Sequence, residues 1–301
     1  MTGGTLVVVG GPTASGKTAL AAAIARQLGT EVLSADARQF YRDLRIGTAR
    51  PAEAELLGVP HHFLGHLALE ETWSAGHFAR AAEPVLQRIL ATRRYAVLVG
   101  GSGLYIDAVV KGLDALPAAD AALRERLHDR LRREGLPALL ADLAQHDPVT
   151  AARIDRHNPQ RVLRALEVCL VTGRPFSAQH HAPRDRTDLR IVRLAIGLPR
   201  PHLYARIDHR VDAMMDAGLL EEARGLLPHR HRNALNTVGY KELFRHFDGA
   251  LTLAQAVDLI KQHTRNYAKR QLTWLRREPA WRFLHGEGPP PLLEQALHAL
   301  G

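Results

Sequence analysis

The chain has 301 residues, 46% of them hydrophobic and 24% charged, enough apolar material for one large domain or a core carrying an inserted lobe. It has no apolar run of about 18 residues, which excludes a membrane-spanning helix, and its one cysteine, Cys169, excludes an internal disulfide. The formal charge of +9 and a pI near 10.2 call for an anionic partner such as nucleic acid. Only five of the 40 basic residues are lysine, so part of that charge is a general richness in arginine. The first strand begins directly after Met1-Thr-Gly-Gly4 and leaves no room for a leader, and with the cysteine usage this points to the cytoplasm.

The first element is an apolar run at 6–9, read as a buried strand. It is followed by Gly11-Pro-Thr-Ala-Ser-Gly-Lys-Thr18 and a helix over 19–28 that stops at Gly29. The eight residues fit the phosphate-loop pattern G-x-x-x-x-G-K-[ST], and the strand and helix flanks are the right ones. Glycines let backbone N–H groups turn inward, the helix N-terminus adds positive potential, and a lysine supplies a point charge. The expected phosphate ligands are therefore Gly11, Thr13, Ala14, Ser15, Gly16, Lys17 and Thr18. Taken alone, the loop suggests nucleotide binding, with ATP or GTP as the ligand.

A second strand over 31–34 leads to Asp36, and a helix over 75–92 precedes a third strand over 95–99. P-loop ATPases normally carry a Mg²⁺-binding Asp at the end of such a strand. Here the strand ends in Gly100-Gly-Ser-Gly103, with no acid. The arrangement fits group transfer from a phosphorylated donor, with Asp36 either touching the acceptor or capping the next helix. From 116 to 188 the strand signal disappears, and helices are expected at 121–134, 137–145, 148–154 and 158–172. A fourth strand over 190–196 is followed by helices at 202–227, 238–247 and 253–277. Strands alternating with helices give a P-loop NTPase-like α/β fold, a parallel sheet covered by helices with a helical insertion. The expected division is a core of 1–115 and 189–301 and an insertion of 116–188.

Arg206 and Arg210 lie four apart on one helix face, either ready for an anion or in ordinary surface pairs with Asp208 or Asp212. Lys261, Arg265 and Lys269 also recur every four residues, as a phosphate-tracking stripe or a solvated face. His61, His62 and His66, and the pair His180-His181, lack the cysteines and the spacing of a structural zinc site. Cys169 sits in an apolar helix and reads as core.

Eight collinear blocks make the chain similar to bacterial tRNA dimethylallyltransferases. They are the phosphate loop, Ser34-Ala-Asp-Ala-Arg-Gln-Phe-Tyr41, Ile46-Gly-Thr-Ala-Arg-Pro51, Val59-Pro-His-His62, Val99-Gly-Gly-Ser-Gly-Leu-Tyr105, Asn158-Pro-Gln-Arg-Val-Leu-Arg-Ala-Leu-Glu167, Arg206-Ile-Asp-His-Arg210 and Lys269-Arg-Gln-Leu-Thr-Trp274. The resemblance implies transfer of a dimethylallyl group from dimethylallyl diphosphate to the exocyclic N6 of the adenosine immediately 3′ of a tRNA anticodon. It places Asp36, Ser102 and Lys17 in catalysis, with Asp36 as the base and Ser102 beside the bridging oxygen of the donor. It assigns diphosphate to the loop and to Arg206 or Arg210, with Mg²⁺ at Thr18. Asp36, Ala37, Arg38, Gln39, Ser102, Gln160, Arg161 and Arg164 are its tRNA contacts, although 160, 161 and 164 also fit a solvated helix face. The family carries Thr where this chain has Ser102, and often Ser where it has Ala37. Monomer is the expected state, and a P-loop small-molecule or nucleotide kinase is the competing reading.

Overall fold

The computed structural model describes residues 3–112, 116–117, 120–179, 185–286 and 288–301. The expected histidine pair at 180–181 and the core boundary at 115 lie outside the described residues. In chain order the elements are β1 (Thr5–Gly10), α1 (Lys17–Gln27), β2 (Val32–Ser34), β3 (His61–His62), α2 (Ala75–Thr92), β4 (Tyr95–Gly100) and α3 (Gly103–Val110). There follow α4 (Ala121–His146), α5 (Pro148–Arg153), α6 (Pro159–Thr172), β5 (Arg190–Gly197), α7 (Arg200–Asp216) and α8 (Leu219–Leu226). The chain closes with α9 (Tyr240–Phe247), α10 (Leu253–Arg277), β6 (Trp281–His285) and α11 (Pro289–Leu300).

Residue contacts divide the chain into two compact units, residues 1–110 with 186–301 and Lys111–Asp185. The first unit holds one all-parallel sheet of six strands in the order β3-β2-β4-β1-β5-β6. Both faces are buried, which is why its central strands read as unbroken apolar runs instead of alternating ones. On one face Leu6, Val8, Leu33 and Leu98 pack against Phe78, Leu86 and Ile89 of α2. On the other, Val7, Val9 and Val97 pack against Leu20 and Ile24 of α1 and Ala296 of α11.

The second unit is helical and packs around Leu127, Leu139, Leu143, Val162 and Leu166. Its buried acids are fully engaged. Asp147 caps α5 and takes hydrogen bonds from Thr150 and Ser177. Glu167, 1% exposed, accepts from Arg124, Arg164 and the Asp120 amide, and those partners outweigh burial and hold its carboxyl below the usual range.

Some expected elements change. The helix expected over 202–227 is two, α7 and α8, because Gly218 takes φ 97° between them. By contrast, the two helices expected over 121–134 and 137–145 are present, separated within α4 by the non-helical Gly135. The edge strands β3 and β6 and the helices α3 and α11 were not expected. Of these, β3 has only two residues, and β6 lies against a single neighbour, β5.

Candidate active site

Sheet register brings the polar segments together. Gly10 pairs with Gly100 and Ser34 with Val99, so the chain leaves β2, β4 and β1 side by side at their C-terminal ends. Those exits carry Asp36, Ser102 and the phosphate loop, the place where open α/β sheets collect ligands. The Ala35 amide donates to Val99 O at 2.7 Å, locking the Asp36 segment to the β4 exit.

The loop itself turns through Ala14 (φ 62°) and Gly16 (φ 92°). Only glycine takes the second of these without cost, whereas Ala14 holds a left-handed conformation that strains a residue with a Cβ. Two of the loop amides are committed inside the protein. Thr13 N donates to Gln271 Oε1 at 2.8 Å, and Ser15 N to Pro12 O at 3.2 Å. The cradle is therefore smaller than the run 13–18 suggests, and among the described residues the amides of Ala14, Gly16, Lys17 and Thr18 are left for a ligand. Ser15 Oγ is buried without a partner among the described residues, a state that a polar ligand would relieve.

Three cations surround this loop. Arg206 Nε donates to Ala14 O at 2.9 Å, and Arg210 reaches Thr13 Oγ1 at 3.3 Å. Arg206 and Arg210 thus both stand at the loop. Their surface-pair alternative fails: Asp208 is bonded to Arg265, and Asp212 pairs with Lys261 at 2.6 Å, both on α10. The same pairs engage two members of the 261/265/269 stripe and leave Lys269 exposed. Burial pushes the Lys17 ammonium down to about 8, against the pull of Asp36 and with some help from Arg210. Burial likewise lowers Arg210, opposed chiefly by Asp36. An anion arriving here meets two partly buried cations, Lys17 and Arg210, and the exposed Arg206, and charge attraction is strongest where water is reduced.

Asp36 faces this positive cluster. Its Oδ1 accepts from Arg38 N at 3.0 Å, an Asx turn that fixes the carboxylate without a helix to cap. Ser102 Oγ accepts from Ala37 N at 3.4 Å, and the Tyr267 hydroxyl of α10 lies near it. Tyr267 was not anticipated. Burial and then the Asp36 charge push its hydroxyl up to about 12, and Arg270 lies 5.7 Å from its ring centre. Gln271 was not anticipated either, though a signal existed. Along α10 the buried positions are 256, 260, 268, 271 and 275, and a glutamine on that apolar stripe needs partners.

Other expected contacts have internal engagements. Arg38 donates to the carbonyls of Asn233, Ala234 and Asn236. The amide of buried Gln39 donates to Thr48 O and Ala49 O. On α6, Gln160 and Arg161 are exposed, while Arg164 donates to Glu167 and to Pro117 O, both at 2.8 Å. Among the described residues no three His, Cys, Asp or Glu side chains form a metal cage. His62 instead bonds Glu31 at 2.7 Å, and His66 packs edge-on against Phe40 and Trp73.

A family model described as IPP transferase matches residues 39–278. The tRNA dimethylallyltransferase of Cytophaga hutchinsonii is 42% identical over 280 residues, covering 93% of this chain and 92% of that relative. The tRNA dimethylallyltransferase 2 of Porphyromonas gingivalis is 45% identical over 283 residues, with 94% of each chain covered. The crystal structure of the full-length tRNA isopentenylpyrophosphate transferase from Bacillus halodurans matches with a TM-score of 0.73 at 35% identity, over 99% of this chain and 96% of the other. A eukaryotic dimethylallyltransferase acting on tRNA, 23% identical, shares the fold with a TM-score of 0.80 over 94% of this chain and 74% of its own.

Proposed function

We infer the chemistry of this site from one premise: the chain belongs to the IPP transferase family. It is a prenyltransferase that moves a dimethylallyl group onto tRNA. We propose that the donor is dimethylallyl diphosphate, and that the acceptor is the exocyclic N6 of the adenosine 3′ to the anticodon. The observation that carries this reading is the facing of Asp36 and Ser102 onto a loop ringed by Lys17, Arg206 and Arg210. The loop thereby provides for a diphosphate, and Asp36 for the proton of an attacking amine.

In this mechanism the N6 lone pair attacks C1 of the dimethylallyl group, the C1–O bond breaks, and diphosphate leaves with the bonding electrons. The amine loses a proton as the bond forms, and the Asp36 carboxylate takes it. Negative charge grows on the bridging oxygen, where the Ser102 hydroxyl and the Lys17 ammonium stabilise it. Arg206 and Arg210 neutralise the outer oxygens as bidentate donors. Mg²⁺ binds few protein ligands and completes its shell with phosphate oxygens and water. The Thr18 hydroxyl, without a protein partner among the described residues, fits that role, and the ion would supply further charge neutralisation. Gln160 and Arg161 provide the exposed polar edge of α6 for RNA, while Arg164 acts through its hold on Glu167. Monomeric state and a cytoplasmic location complete the reading.

The deciding assay gives the protein undermodified tRNA, Mg²⁺ and either labelled dimethylallyl diphosphate or labelled ATP. Label enters RNA from the prenyl donor alone. Phosphate transfer from ATP, or RNA binding without transfer, overturns the reading in favour of a kinase or a binding protein.

Ser102 gives a second expectation. Its hydroxyl already accepts from Ala37 N, so the methyl of the family's threonine is not needed to fix it. Ser102→Thr should keep kcat/KM within about threefold of the parent or raise it, because a retained hydroxyl preserves the transition-state bond. A loss of tenfold or more, beyond about 1.4 kcal/mol, would mean the pocket has no room for that methyl.

A further inference from the structure

We propose that Gln271 is a positioning residue that sets the spacing between the phosphate loop and the Ser102 turn, and so between the leaving group and the group that stabilises it. The proposal rests on the function given above. Gln271 is 5% exposed on α10, and its amide is used at both ends. Oε1 accepts from Thr13 N at 2.8 Å, and Nε2 donates to Gly101 O at 2.8 Å. The partners fix the orientation, since a backbone amide only donates and a carbonyl only accepts. One planar group therefore ties the exit of β1 to the exit of β4. No other side-chain hydrogen bond among the described residues joins these two segments.

The packing leaves this clamp no slack. A Cβ on Gly101 would lie 2.2 Å from Gln271 Nε2 and 3.4 Å from Lys17 Nζ. Gly101 is thus glycine because the amide passes directly over it, and the clamp also borders the catalytic lysine. Thr13 is the residue whose hydroxyl meets Arg210, so the clamp sets the arginine's approach as well. A shift of about 1 Å between reacting groups costs roughly 100-fold in rate, and beyond the Gly10–Gly100 pairing the Gln271 amide is, among the described residues, the side-chain bond between the two loops.

The test is a double-mutant cycle on Gly101 and Gln271. Gln271→Ala should lower kcat about 30-fold with KM for tRNA unchanged, and Gly101→Ala about 100-fold, because its methyl displaces the amide. With the amide gone the methyl fits, so the double variant should be no slower than Gly101→Ala alone. Hydrogen exchange gives a readout independent of activity: in Gln271→Ala the Thr13 amide should exchange at least about tenfold faster, with β1 and α1 protected as before. Rate losses that multiply in the double variant, or an unchanged Thr13 amide, would overturn the clamp. Absence of transfer in the parent protein would instead refute the proposed function, leaving the exchange result to decide on the clamp.

Discussion

Asp36→Asn should lose prenyl transfer by about 10²–10⁴-fold, the range a positioned general base contributes, while tRNA binding stays within a few-fold of the parent. The substitution is chosen on structural grounds. Asp36 Oδ1 accepts from Arg38 N, and the asparagine carbonyl can keep that bond, so the turn and the Arg38 anchor to residues 233–236 survive. What is removed is a carboxylate that can receive the N6 proton. The same change takes a negative charge away from Lys17, Arg210 and Tyr267, each of which feels it. The diphosphate site is then more positive, so donor affinity should hold or tighten as kcat falls. Single-turnover rates and donor binding, measured separately, check this. A variant with near-parental turnover removes Asp36 from the role of base; a variant that loses donor binding makes it a structural residue instead.

The parts of this site readable from sequence were those encoded within a few residues of one another. The phosphate loop, the strand before it and the helix after it are one local pattern, and the apolar runs of β1, β4 and β5 are long because both faces of the sheet are covered. Asp36 and the acid-free turn at 100–103 stood out by position at strand ends. The helical insertion stood out by the loss of any strand signal. What sequence left open was pairing at a distance. Spacing put Arg206 and Arg210 on one face but could not say that Asp208 and Asp212 find partners on α10 and leave both arginines to the loop. It could not show that Thr13 N is bonded to Gln271, so the run 13–18 looked like a continuous row of donors. Tyr267 reaches Ser102 across more than 160 positions of chain, and nothing local marks it. β3 and β6 are too short or too one-sided to raise a period. Arg164 follows the same rule: its basic side chain suggested RNA, and its partner Glu167 lies one helical turn on, buried, where only packing shows that the pair is needed.

Lys17→Met should abolish transfer by about 10³-fold while making the free protein more stable, and the pairing of those two effects is the informative part. A single lost donor to a developing oxyanion costs roughly 10²–10³ in rate, and Lys17 also carries a full charge. Stability moves the other way because of desolvation. Burial lowers the Lys17 ammonium to about 8 in the folded protein, below its ordinary 10.5. Below pH 8 it is protonated in both folded and unfolded chains, and the cost of burying the charge is fully present. That cost is relieved as pH rises from about 8 towards 10.5, where the unfolded chain binds the extra proton. Methionine has similar length and no charge, so at pH 7 the free variant should gain on the order of 1–3 kcal/mol, a few degrees in Tm. Diphosphate reverses the comparison, because it gives the lysine an anion at close range where the free protein offers the Pro12 carbonyl at 3.5 Å. Added diphosphate should raise the Tm of the parent protein, by mass action on the folded state, and raise that of the variant far less. Thermal unfolding of both proteins at pH 7, with and without diphosphate, decides the matter. A free variant less stable than the parent, or one stabilised equally by diphosphate, would show that Lys17 is held by its surroundings and not poised for the leaving group.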